Sequence, residues 1–216
     1  MPHNASVSAT MIKAFVAAGL LSTCLIQGAV AQQTTDAIAP EAGTPIASPQ
    51  TRGSVTAKNW MISAANPLAV EAGANILRSG GNAIDAMVAI QTMLGLVEPQ
   101  SSGLGGGAFL VYFDATTGKL TTLDGRETAP LSATPTLFQD ENGEPLKFYD
   151  AVVGGRSVGT PGTPALMKAA HEKWGQMPWN TLFAPAIETA INGFEVSPRL
   201  AALIANDQEK LSRDPE

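Results

Sequence analysis

With 216 residues, 44% of them apolar and only 15% charged, and with 21 Gly and 15 Pro, the chain can bury enough surface for one or two globular domains and does not have the composition of a disordered one. Its 13 Lys and Arg stand against 19 Asp and Glu, a net charge of −6 that lacks the basic stripe needed to bind a nucleic-acid backbone.

Lys13 precedes a mainly apolar run from Ala14 to Ile26, too short to cross a bilayer, and Ala29-Val30-Ala31 has the small-x-small form that a signal peptidase accepts. Residues 1–31 are therefore read as a signal peptide cleaved near Ala31, with a secreted or periplasmic destination. A buried N-terminal helix, or lipid acylation at Cys24, are the alternatives, and Thr23 is bulkier than the residue that usually precedes an acylated Cys. Cleavage removes Lys13, Cys24 and His3 and leaves 185 residues with 12 basic and 19 acidic groups, a net charge of −7. A chain left with His171 as its single histidine and no cysteine has no disulfide, Cys nucleophile or ordinary His/Cys zinc site.

Residues 32–54, rich in Thr, Ala and Pro, have neither helical nor strand period and read as a flexible tether. Order is expected from Val55, with a short apolar strand at Trp60–Ala64. Asn66-Pro67 pairs an N-cap with Pro at the first helical position, and Leu68, Ala69, Ala72, Ile76 and Leu77 share a face until Ser79-Gly80-Gly81 ends the helix. Asn82, with Asp85 three residues on, starts a second helix over Ala83–Val97 so poor in polar residues that it must be buried on nearly all sides; Pro99 follows it.

A glycine loop, Ser101–Gly107, leads into a predicted hairpin of Ala108–Phe113 and Lys119–Asp124 around a turn at Asp114–Gly118. Residues 128–164 are turn-rich. Three helices are then expected: Thr163-Pro164 to Trp174, Asn180 to Asn192 with Pro185 interrupting it, and Ser197-Pro198 onward.

Several residues could carry chemistry. Gly103, Gly105 and Ala108 formally fit a dinucleotide fingerprint, but that fingerprint needs a strand before the loop and a helix after it, and here the order is reversed. The glycines read equally as tight backbone passage or as a substrate-facing loop. His171 lies at helical spacing with Met167 and Trp174 and no Gly-x-Ser-x-Gly elbow accompanies it, so a structural role is favoured; Asp85 reads as a cap rather than an acid. Asp124, Arg126 and Glu127 cluster just past a strand. There Arg126 could grip a carboxylate through two parallel hydrogen bonds or form a salt bridge with Asp124 or Glu127.

Five ordered motifs, Asn66-Pro-Leu-Ala-Val-Glu-Ala-Gly73, Gly80-Gly-Asn-Ala-Ile-Asp-Ala86, Ser102-Gly-Leu-Gly-Gly-Gly-Ala-Phe109, Asp124-Gly-Arg-Glu-Thr-Ala-Pro130 and Gly159-Thr-Pro-Gly-Thr163, together resemble the gamma-glutamyltransferase (glutathione hydrolase) family from about Val55 to Leu211. The resemblance implies an α+β N-terminal nucleophile hydrolase, a four-layer αββα sandwich that is incomplete in this chain. It also implies a precursor that cuts itself into a large and a small subunit and needs neither cofactor nor metal. Residues 55–216 would be the N-terminal portion of the large subunit. The implied reaction moves the γ-glutamyl group of glutathione, or of another γ-glutamyl compound, to water or to an amino-acid or peptide acceptor. Arg126 would bind the donor's α-carboxylate. The threonine nucleophile would lie in the small subunit, because no Thr here has the context of the family's processing site, so this chain alone should be inactive. A related amidase such as a cephalosporin acylase, a capsule-processing transpeptidase of the same fold, and a non-catalytic periplasmic binding module are the other readings.

Overall fold

A computed structural model of the chain describes residues 54–213. The expected signal peptide, and all but the last residue of the expected tether, lie outside the described residues.

Helix α1 (Pro67–Arg78) starts where the side chain of Asn66 accepts the Leu68 N–H at 3.0 Å and Pro67 takes a first-turn position that needs no donor. Helix α2 (Ala83–Val97) opens on a reciprocal cap: Asn82 accepts from Ile84 and Asp85, and the Asp85 carboxylate accepts the Asn82 N–H at 2.9 Å. As its composition requires, α2 is buried or half-buried at every position but Ala83. One side contributes Ala86, Val88 and Ala89 to a core with Ile76, Met167 and Leu182; another contributes Met93 and Val97 to a second core with Ala69 and Ala72 of α1.

Strands β1 (Ala108–Asp114) and β2 (Lys119–Gly125) form an antiparallel hairpin in which Phe109 faces Asp124 and Phe113 faces Leu120. The segment 128–164 holds a single turn of helix, α3 (Phe148–Val152), a 3-10 turn at Gly155–Ser157 and isolated bridges, in line with its turn-rich sequence. Helix α4 (Thr163–Trp174) packs under the hairpin's inner face, where the Trp174 ring stacks on Tyr112 at 4.5 Å. Helices α5 (Ala184–Asn192) and α6 (Pro198–Leu211) follow, the latter capped by the Ser197 hydroxyl accepting from Leu200.

Two expectations need correction. The apolar run Trp60–Ala64 is not a strand; among the described residues it has no ladder partner, and Trp60 and Met61 are exposed. Extended apolar residues become a strand only beside another edge. The helix expected over Asn180–Asn192 is instead a 3-10 turn, Trp179–Phe183, leading into α5; Pro185 sits in the first turn of α5, where its missing N–H costs nothing, and does not interrupt it. The mixed helix-and-strand architecture agrees with the expected α+β class. Among the described residues no helix is long and apolar enough to cross a membrane.

Candidate functional site

Arg126 is the first residue after β2. The hairpin register brings Asp124 opposite Phe109 and leaves Arg126 just past the last ladder pair, Ala108 and Gly125, with its side chain exposed. The Asp124 carboxylate turns back to accept the Arg126 backbone N–H at 2.9 Å, which directs the chain out of the strand. Among the described residues no carboxylate stands within ion-pair distance of the Arg126 guanidinium, so the salt bridge with Asp124 or Glu127 that spacing allowed does not form. The guanidinium is thus open to an external anion. Arg126 lines a cavity of about 360 Å³ together with Thr128, Thr160, Pro161 and Ala165.

The platform beneath Arg126 is built from three segments of bare backbone. The Gly106 carbonyl accepts the N–H groups of Gly162 and Thr163, both at 3.1 Å, and the Thr163 hydroxyl at 3.0 Å. Thr160 N–H donates to the Thr128 carbonyl at 2.8 Å. At Gly107 a Cβ would meet the Glu127 backbone nitrogen at 2.6 Å, and at Gly162 it would overlap the Gly125 carbonyl oxygen, so both positions exclude any side chain. Three of the sequence motifs therefore converge here: the glycine loop, Asp124–Pro130 and Gly159–Thr163. Of the two readings of the glycine loop, tight backbone passage holds at Gly107. The more open glycines, Gly103 and Gly105, line a second cavity of about 530 Å³ with Ser102, Gln91 and Glu127. The loop lies between a helix and a strand, the order that excludes a dinucleotide fingerprint.

His171 and Asp85 have structural roles. The His171 Nε2–H donates to the Met177 carbonyl at 2.8 Å, a contact that requires the proton on that nitrogen because a carbonyl can only accept. Asp85 is fully buried; besides capping α2 it accepts the N–H groups of Gln176 and Met177 at 3.1 and 3.3 Å, and His171 Nε2 lies 3.7 Å away. Together they fasten the turn after α4 onto the start of α2. Among the described residues no group of three or more His, Cys, Asp or Glu assembles as a metal site requires.

Glu98 escaped the sequence reading. It is 3% exposed and accepts from Asn66 Nδ2 at 3.0 Å, Arg199 at 2.7 Å and Gln100 Nε2 at 2.6 Å, joining α1, α6 and the segment that enters the glycine loop. Its one sequence signal is an acid ending an otherwise apolar helix. Asn66 and Arg199, 32 and 101 positions away, carry no sequence sign of the contact. Thr163 was also missed: it precedes Pro164 as a helix-starting residue would, yet it caps nothing and its hydroxyl serves the glycine loop instead.

The family model described as gamma-glutamyltranspeptidase matches residues 69–216. The glutathione hydrolase proenzyme of Bacillus subtilis (strain 168) is 47% identical over 156 residues, which cover 72% of this chain and 27% of that protein. Among solved structures, the Helicobacter pylori gamma-glutamyltranspeptidase superposes with a TM-score of 0.70 at 37% identity, over 75% of this chain and 46% of that one. A cephalosporin acylase from Bacillus halodurans superposes with a TM-score of 0.56 at 33% identity, over 68% of this chain and 26% of that one. The chain spans about a quarter of the length of the curated relatives it matches.

Proposed function

Because the chain belongs to the gamma-glutamyltranspeptidase family, we propose that it is the N-terminal part of the large subunit of an enzyme that cleaves the γ-glutamyl amide of glutathione and passes the γ-glutamyl group to water, an amino acid or a peptide. Arg126 recognises the donor. Its planar fork matches the two oxygens of an α-carboxylate, and a pair of charge-assisted hydrogen bonds both holds the glutamyl moiety and fixes its orientation. The observation that carries this reading is an exposed guanidinium, with no carboxylate partner among the described residues, anchored on the backbone platform of Gly107, Gly125 and Gly162.

The remaining steps belong to the small subunit released from the same precursor. A threonine hydroxyl, deprotonated by that residue's own α-amino group, attacks the γ-carbonyl; the amide C–N bond breaks, the leaving amine takes up the proton, and a γ-glutamyl ester remains. Water or an acceptor amine then resolves the ester and returns the threonine.

The four-layer αββα sandwich is part of the same proposal. The hairpin's outer face presents Phe109, Val111, Phe113 and Leu120, each at least 60% exposed, an apolar layer of the kind that a second sheet covers in such a sandwich. Residues 1–31 direct the precursor for secretion and are removed near Ala31. No cofactor takes part.

A related amidase is the second reading, favoured by the likeness to the Bacillus halodurans cephalosporin acylase. Donor kinetics of Arg126→Ala in the full-length protein separate the two. A rise in KM confined to donors with a free α-carboxylate supports γ-glutamyl transfer, and an unchanged KM for them overturns the assignment of Arg126.

A further inference from the structure

Thr163 is 1% exposed and is the first residue of α4, one position past its N-cap Gly162. Here the helix start has no side-chain cap, and the hydroxyl donates 57 residues away to the Gly106 carbonyl at 3.0 Å. A hydroxyl buried this fully is held by its partner, because an unpaired one would face the whole desolvation penalty.

The location of that bond gives it its consequence. On one side Gly106 continues into Gly107, where a Cβ would collide with the Arg126 Cα and the Glu127 nitrogen. On the other, Thr163 continues back into Gly162, where a Cβ would collide with the Gly125 carbonyl. The segment Gly125–Glu127 therefore lies between the two residues adjoining the Thr163–Gly106 contact, where, among the described residues, the Thr163 hydroxyl is the one side-chain donor to the Gly106 carbonyl beside the N–H groups of Gly162 and Thr163. We propose that Thr163 is a positioning residue for donor recognition, fixing through the Gly106 carbonyl the place from which Arg126 reaches the donor. The inference rests on the reading of Arg126 as the carboxylate-binding residue.

The test uses the full-length protein with a γ-glutamyl anilide as donor and water as acceptor. Thr163→Val keeps the shape of the side chain and deletes the donor hydrogen. It raises donor KM by about fivefold, the equivalent of one neutral hydrogen bond, while kcat changes by less than about twofold. Thr163→Ser, which keeps the hydroxyl, restores most of the affinity. In an Arg126→Ala background Thr163→Val adds no further rise, because there is no longer a guanidinium to place. A Thr163→Val KM equal to that of the parent, or an equal rise in the Arg126→Ala background, overturns the inference, since loss of folded protein alone lowers the active fraction without moving KM. If Arg126→Ala raises KM and Thr163→Val does not, the Thr163 role fails alone; if Arg126→Ala leaves KM untouched, both fail. Should Thr163→Val not accumulate as folded protein, Thr163→Ala, which places no methyl against the Gly106 carbonyl, carries the same comparison.

Discussion

Gly107 and Arg126 lie so close that no side chain fits between their backbones: a Cβ on Gly107 would lie 2.9 Å from the Arg126 Cα, closer than such atoms approach in folded proteins. The contact is between two main chains inside a hydrogen-bonded platform, so neither side can yield by turning a side chain. Gly107→Ala forces the two segments apart. It is expected to destabilise the protein by about 1–3 kcal/mol, as overpacking does, and to raise donor KM along with it. Thermal melting and donor kinetics on the same preparation check both effects; a melting temperature and a KM equal to the parent's contradict the platform.

Arg126→Ala removes the proposed carboxylate partner and is expected to raise donor KM by about 10²-fold, the effect of losing a charge-assisted pair. Arg126→Lys recovers only part of the loss, because one ammonium cannot reproduce a two-pronged contact. Full recovery by lysine would mean that charge alone, without geometry, serves the donor.

Glu98 is buried, and Arg199 is the cation that meets it, at 2.7 Å. Arg199→Met leaves a carboxylate with less compensation in the interior and is expected to cost about 3 kcal/mol in denaturant unfolding. Adding Glu98→Gln to that variant removes the stranded charge while keeping an acceptor for Asn66, so the double variant should be more stable than Arg199→Met alone. The reverse order would show that the network is held by something other than charge compensation.

At the hairpin turn, the Thr117 hydroxyl first and the Thr116 backbone N–H second hold the Asp114 carboxyl below the ordinary carboxylate range. A carboxyl whose folded value is depressed contributes stability above its unfolded value and loses that contribution as pH falls through the folded one. Asp114→Ala is therefore expected to melt below the parent at neutral pH and to converge with it as pH drops below about 4. A gap in melting temperature that stays constant from neutral pH down to about pH 3 would remove ionised Asp114 from the account of the turn.

The parts of the fold legible from sequence are those decided within a few residues. Asn66 and Asn82 cap helices two and three positions ahead, Asp85 completes its cap three positions back, and Ser197 reaches Leu200. The hairpin was equally legible, because alternation and a turn ending in Gly118 set its register, and with it the place of Arg126 one step past the strand. Trp60–Ala64 shows where this stops: its apolar pattern is real, but a strand needs an edge to pair with, and pattern alone does not supply one.

What the sequence by itself determined, then, is the set of capped helices, the hairpin and the motif set that marks the family, while it left open whether Arg126 pairs with Asp124 or Glu127. The tertiary structure decided how that arginine is held. Gly106 and Thr163 are 57 positions apart, Asp85 and Gln176 are 91 apart, and Glu98 and Arg199 are 101 apart. No periodicity or cap connects residues at such separations, because a buried polar group selects its partner by proximity in the folded chain, after packing has chosen which backbones meet.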